Sequence, residues 1–239
     1  MLLLSAFGEI SLQSTELVIA VFEFVILLFS LTVHECAHAW VASRLGDQTA
    51  RMMGRVSLNP MDHIDPIGTL LVPALAIFGP FIGLGFLGRF IFGWAKPVPI
   101  LSRNFRNFRR DDMLVSLAGP ASNLLLSLLA FFGLAAIYLS QSHLPAGTEP
   151  SAAMQGLVQL CSIGFELNLV LCIFNLLPIP PLDGSHVMRQ FLPYNAVQVY
   201  DKITGVASYL LLILVGPFVL GLILPPVLGI FYAVLRHIV

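Results

Sequence analysis

Long apolar runs separated by short polar loops set the pattern of this chain. The first run predicts a helix over residues 15–45, closed by Gly46-Asp47. Residues 1–15 are weakly amphipathic and predict an interfacial segment. Residues 49–59 read as a short strand, followed by the turn-rich Asn59–Pro66. The apolar stretch 67–92 is broken in its middle by Pro73, Gly79, Pro80, Gly83, Gly85 and Gly88. A second strand-like piece spans 93–100, where Pro97 and Pro99 confine it to an edge. Helices are predicted over 113–139 and 153–177. The last apolar region, 203–239, contains Gly216-Pro217 and Pro225-Pro226. It reads as one long kinked helix, or as one span plus a shorter returning piece.

Composition turns these runs into membrane segments. The chain is 57% hydrophobic and 10% charged, with mean hydropathy +0.90, where soluble domains carry about 25% charged residues. The fold class expected is an all-α polytopic membrane protein with about five or six transmembrane segments, short membrane-associated β-strands and a single domain over 1–239. A net charge of -1 gives no reason to expect a nucleic-acid partner. Cys36, Cys161 and Cys172 match no disulfide or metal-binding spacing.

Loop charge predicts orientation. The loops at 44–55, 89–110 and 189–202 are basic, whereas 141–152 has no Lys or Arg. The first three are therefore assigned to the cytoplasm and the fourth to the outside. Segment 67–92 must then leave and return on one side. As helix it measures roughly 39 Å, too short to cross twice a core about 30 Å thick. A re-entrant hairpin satisfies both conditions.

The chemistry concentrates in His34-Glu35-Cys36-Ala37-His38, near the end of the first helix. Residues four apart share a helix face, so His34 and His38 can hold one metal ion. Glu35 lies where a general base is needed. A catalytic zinc commonly takes three protein ligands. Asp183 is the best third ligand, because Pro178, Pro180 and Pro181 break the chain before it and Gly184 follows. The predicted topology brings all three ligands to one membrane face. Asn175 can donate to an oxyanion or tie down free carbonyls at its helix end. Glu166 and Asn168 suit interhelical hydrogen bonds. Glu23 lies about three turns from the histidines, too far for a ligand. His63 and His186 suit either contact near the site or interfacial packing.

The His34–His38 motif, Ala118-Gly119-Pro120, and Asn175 through Gly184 together resemble the site-2 protease family of intramembrane zinc metalloproteases. The last of these resembles the family's NxxPxxxLDG pattern. Leu58-Asn59-Pro60 and the 93–100 stretch resemble a compact prokaryotic branch without a PDZ or CBS domain. The resemblance implies one zinc ion per chain held by His34, His38 and Asp183. It also implies Glu35 as base and proton shuttle, and Asn175 as an aid to the oxyanion or to substrate orientation. It further implies a zinc-dependent intramembrane endopeptidase, multi-pass in the plasma membrane, with its site toward the cytoplasm. Its partners would be the bilayer and single-span membrane proteins, held as an added strand along 49–59 and 93–100. The alternative is a membrane metal transporter using the same His/His/Asp site, for which an internal repeat is expected and none is seen. A catalytically inactive relative acting as a binding module would not need all four first-line residues.

Overall fold

A computed structural model describes residues 2–84, 95–143, 145, 149–203 and 205–238. The described residues are helical or irregular, with no strand among them. Helix α1 (Leu2–Leu45) absorbs the expected interfacial segment and the first span into one rod. It is followed by α2 (Thr49–Met52) and, after a 3₁₀ turn at Pro60–Asp62, by a π turn at Pro66–Leu71 that leads into α3 (Val72–Phe78). Helices α4 (Phe108–Ser142) and α5 (Ala152–Asn175) follow. The short α6 (Asp183–Phe191) and α7 (Tyr194–Tyr200) then lead into α8 (Val206–Ile238).

Among the described residues, four helices are long and apolar enough to cross a membrane: Thr15–Leu45, Phe108–Ser142, Ala152–Asn175 and Val206–His237. The 203–239 region is a single helix, with Pro217, Pro225 and Pro226 inside it. Prolines are tolerated there because apolar surroundings leave a helix no better way to satisfy its backbone.

The expected re-entrant hairpin is described only in its first limb, because residues 85–92 lie outside the described residues. Asp65 starts that limb by accepting from Ile67 N at 3.0 Å and Gly68 N at 2.7 Å. Its end reaches Phe24 of α1 through Phe78, with ring centroids 5.7 Å apart. Phe24 precedes His34 by ten residues, about 15 Å along the helix axis. The limb therefore climbs along α1 away from the histidines, and the apolar piece Pro66–Ile82 is shorter than a span.

Both strand expectations need correction. Over 49–52 the chain turns helical, because Asp47 accepts from Thr49 N at 3.1 Å and from the Thr49 hydroxyl, and 53–59 is turn and irregular chain. Met52 N and Met53 N then close helical bonds to Gln48 and Thr49, and Ala50 packs against Ala39 of α1. Local capping by a carboxylate thus overrides the strand-like pattern. Residues 93 and 94 lie outside the described residues. Residues 95–100 are extended, yet they form no ladder. Pro97 and Pro99 have no N–H to give, and the remaining groups bond mostly to side chains.

The membrane-spanning core is built on α4, α5 and α8. Phe131, Leu134, Phe165, Leu169 and Leu235 are buried together. Phe165 is fully buried and stacks edge-on with Phe231 at 5.1 Å. Small residues set the helix spacing: Gly164 faces Ala130, and a Cβ there would already be in contact at 3.4 Å. Polar groups close on each other across these helices. Ser127 donates to Phe165 O at 2.9 Å, and Tyr232 donates to Glu166. The C-terminal ends of α1 and α5 and the N-terminal end of α4 lie together, so α4 runs opposite to the other two.

Just beyond α1, Asp47 is buried and also accepts from Leu101 N at 2.7 Å and Asn104 Nδ2 at 2.8 Å. Burial pushes its carboxyl up, but the bonds from Thr49, Leu101 and Asn104 outweigh that and hold it below the usual range. A depressed folded-state pKa contributes stability that is full above the ordinary carboxylate value and lost as pH falls through the folded value. Asp47→Asn should therefore be less stable than wild type at neutral pH. The gap should narrow as pH drops below about 4, measured by thermal unfolding in detergent across a pH series.

Candidate metal centre

Three elements deliver the site. The 3.6-residue period of α1 places His34 and His38 one turn apart on one face. After α5 ends at Asn175, the Leu176–Pro181 turns fold back, with Leu177 and Ile179 buried against Leu212 of α8. Asp183 then opens α6. Gly184 makes this return possible: a Cβ there would lie 2.2 Å from Leu176 O and 2.6 Å from Leu177 O. At its other end α6 is held by Gln190, which donates to Asp112 Oδ2 of α4 at 2.8 Å.

The three predicted ligands meet. The Nε2 atoms of His34 and His38 are 3.1 Å apart. Asp183 Oδ2 lies 3.1 Å from His34 Nε2, and Asp183 Oδ1 lies 3.4 Å from His38 Nε2. All donor atoms fall within 4.8 Å of one another. Each ring is oriented from behind. His38 Nδ1 donates to Val115 O at 2.7 Å. His34 Nδ1 donates to Asn123 Oδ1 at 2.6 Å, while Asn123 Nδ2 donates to Asn168 Oδ1 at 3.0 Å and Asn168 Nδ2 to Gly164 O at 2.9 Å.

These bonds fix the tautomers. A main-chain carbonyl only accepts, so His38 carries a proton on Nδ1 and turns Nε2 toward the cluster, where the neutral form of the ring has a lone pair to give. The amide chain gives the same answer for His34. Two lone pairs thus face each other beside a carboxylate whose Oδ2 is buried and without a hydrogen-bond partner. With both rings neutral the arrangement repels itself, and a proton or a metal cation held between the three groups relieves it. Two nitrogens bound tetrahedrally to zinc at their usual distance sit about 3.3 Å apart, close to the spacing found. Room for the ion comes from α4: a Cβ on Gly119 would lie 2.4 Å from His38 Nε2 and 2.5 Å from His34 Nε2. The donor set and the space around it therefore fit zinc.

The other residues singled out from the sequence divide clearly. Glu35 is half-buried beside the ligands, and its Oε2 accepts from Val98 N at 3.1 Å. Asn175 donates through Nδ2 to Leu171 O at 2.9 Å, so one of its two amide hydrogens closes the end of α5. His63 is buried away from the ligand cluster, with Nε2 donating to Ser57 O at 2.9 Å. His186 is exposed.

Sequence reasoning gave no role to Val115, Gly119 or Asn123 as a set. The signal was present: they recur every four residues on α4 and so share the face that α4 turns toward the histidines. Asn123→Ala should weaken zinc affinity about 10- to 100-fold by releasing His34 from its orienting bond. Gly119→Ala should lose the metal more completely, because the added methyl occupies its place. Zinc titration of purified protein against a chelator of known affinity checks both.

Comparison with known proteins agrees with this geometry. The model of Peptidase family M50 matches residues 22–216. The chain is 42% identical over 184 residues to a Bacillus subtilis protein named "Putative zinc metalloprotease YwhC", covering 77% of this chain and 73% of the relative. It is 34% identical over 165 residues to "Putative zinc metalloprotease Rip2" of Mycolicibacterium smegmatis, covering 69% of this chain and 55% of that protein. A Methanocaldococcus jannaschii protein, "Putative zinc metalloprotease MJ0611", is 31% identical over 108 residues, covering 44% of this chain and 49% of its own length. No solved structure matches the chain. With a zinc-fitting His/His/Asp centre set among helices long enough to cross a membrane, the chain belongs to Peptidase family M50, the site-2 protease family.

Proposed function

We propose that this chain is a zinc-dependent intramembrane endopeptidase that cleaves the membrane-spanning segments of single-span proteins, with its centre toward the cytoplasm of the plasma membrane. The observation that carries the reading is the joining of three helix ends at one depth, where His34, His38 and Asp183 converge beside Glu35. Arg44, Arg51, Arg55, Lys96, Arg103, Arg106, Arg109 and Arg110 all belong to elements at that end, which supports the cytoplasmic assignment.

His34, His38 and Asp183 would hold one zinc ion. Zinc bound there supplies Lewis acidity, polarising a peptide carbonyl and making water a stronger acid. Glu35 takes the proton from the attacking water on a carboxylate oxygen and passes it to the leaving amine nitrogen. Asn175 keeps one amide hydrogen that Leu171 does not use, and it offers that hydrogen to the carbonyl oxygen as charge builds there. The substrate must unwind first, since a helical peptide bond is shielded by its own hydrogen bonds. Residues 95–100 lie beside Glu35, where they can flank an unwound segment, although the Lys96 and Val98 N–H groups are already bonded within the protein.

Proteolysis of a purified single-span protein carrying Gly-Pro in its span, reconstituted in liposomes, tests this reading. Glu35→Gln should bind as much zinc as wild type and lose cleavage by about 1000-fold or more. Equal cleavage by the two proteins would sink the assignment of Glu35. Metal-driven ion uptake without cleavage would favour transport instead.

A further inference from the structure

Residues 95–101 carry an unusual set of anchors for a short extended segment. Lys96 N donates to His63 O at 3.0 Å. Arg55 Nη2 donates to Lys96 O at 2.7 Å and to Pro97 O at 3.2 Å. Leu101 N donates to Asp47 Oδ2 at 2.7 Å. Between these anchors, the buried Val98 side chain packs with Ala39 of α1 and Ala50 of α2. Its N–H points at Glu35 and donates to Oε2 at 3.1 Å.

Both charged anchors are costly to place. Asp47 is fully buried and Arg55 is 7% exposed. Neither forms an ion pair with another described residue. An unpaired buried charge is tolerated only where its hydrogen bonds compensate; both side-chain bonds of Arg55 and one of Asp47 go to the chain on either side of Val98, while Asp47 also accepts from Thr49 and Asn104. The anchors also refer back to the helix that carries Glu35: Asp47 lies two residues beyond the end of α1, and Arg55 N bonds to Ala50 O of α2. The segment is thereby held in the frame of the very residue it touches.

We propose that Asp47 and Arg55 are positioning residues for Glu35, holding residues 95–101 so that the Val98 N–H fixes Oε2 and leaves Oε1 to handle the proton. The inference rests on the reading of Glu35 as the base. A carboxylate next to a metal ligand has two competing fates, binding the ion itself or accepting a proton. A donor locked onto one oxygen selects the second fate by fixing the rotation of the group. Zinc binding is left to His34, His38 and Asp183, none of which the clamp touches.

Residue-resolved amide exchange tests this directly, using zinc-loaded protein with 15N-labelled valine and leucine in detergent micelles. Asp47→Asn and Arg55→Lys each keep the size and polarity of the anchor while losing part of its bonding. The Val98 amide should exchange about 10- to 100-fold faster in both variants, although neither side chain touches it. Zinc content should match wild type. On the Gly-Pro single-span substrate, kcat should fall about tenfold or more with KM within about twofold of wild type. Wild-type exchange at Val98 in both variants would overturn the clamp, as would faster exchange with unchanged kcat. Glu35→Gln, run beside them, separates the two readings. Loss of cleavage there with Val98 unmoved in the clamp variants overturns the clamp alone. Retained cleavage there overturns the base reading and the inference with it.

Discussion

Two imidazole lone pairs 3.1 Å apart, with a carboxylate against both, form the constraint on which the structure depends. Such an arrangement calls for a positive charge among the three groups, a shared proton or a bound metal ion. Reaching it requires the ends of α1 and α5 and the start of α4 at the same depth. The direction of each long helix follows from that requirement. A single extra crossing between α1 and α5 would carry Asp183 to the other end of the bundle. The apolar piece Pro66–Ile82, shorter than a span and packed along α1 through Phe78, is in keeping with that requirement.

Apolar surroundings sharpen every polar choice around the centre. With no water to accept a stray hydrogen bond, each donor must find a partner inside the protein. The chain from His34 through Asn123 and Asn168 to Gly164 O shows how this is met. One amide orients the ligand, the next orients the first, and the run ends on a carbonyl. The same carboxamides cross from α4 to α5, so the centre and the helix packing are fixed by the same bonds. Gly119 and Gly184 serve the converse need, since the site demands empty volume where any side chain would otherwise stand.

Much of this was legible in the sequence because it depends on period and spacing. Histidines four apart on an apolar helix state their shared face, and prolines before Asp183 state that the helix stops and the chain turns. The long helices were legible for the same reason, with ends within a few residues of those found for α4 and α5. The role of Asn123 was not, because its meaning lies in a ring on α1 and an amide on α5, and no local pattern encodes either. The strand expected over 49–59 failed for a related reason. Asp47 captures Thr49 and makes a helical turn of residues 49–52 the better-bonded state.

The extended segment at 95–100 shows where local pattern and tertiary demand part. Pro97 and Pro99 remove the donors that a strand would present to a neighbour. That loss protects an edge beside the centre from indiscriminate pairing. It also leaves the few remaining N–H groups free for specific acceptors. Lys96, Val98 and Leu101 give theirs to His63 O, Glu35 and Asp47 in turn. A ladder would have satisfied the same groups with greater regularity, but its bonds would run to another main chain and could not orient a carboxylate. Giving up the strand is therefore what lets the main chain reach Glu35, and the prolines that confine the segment to an edge are part of how it does so.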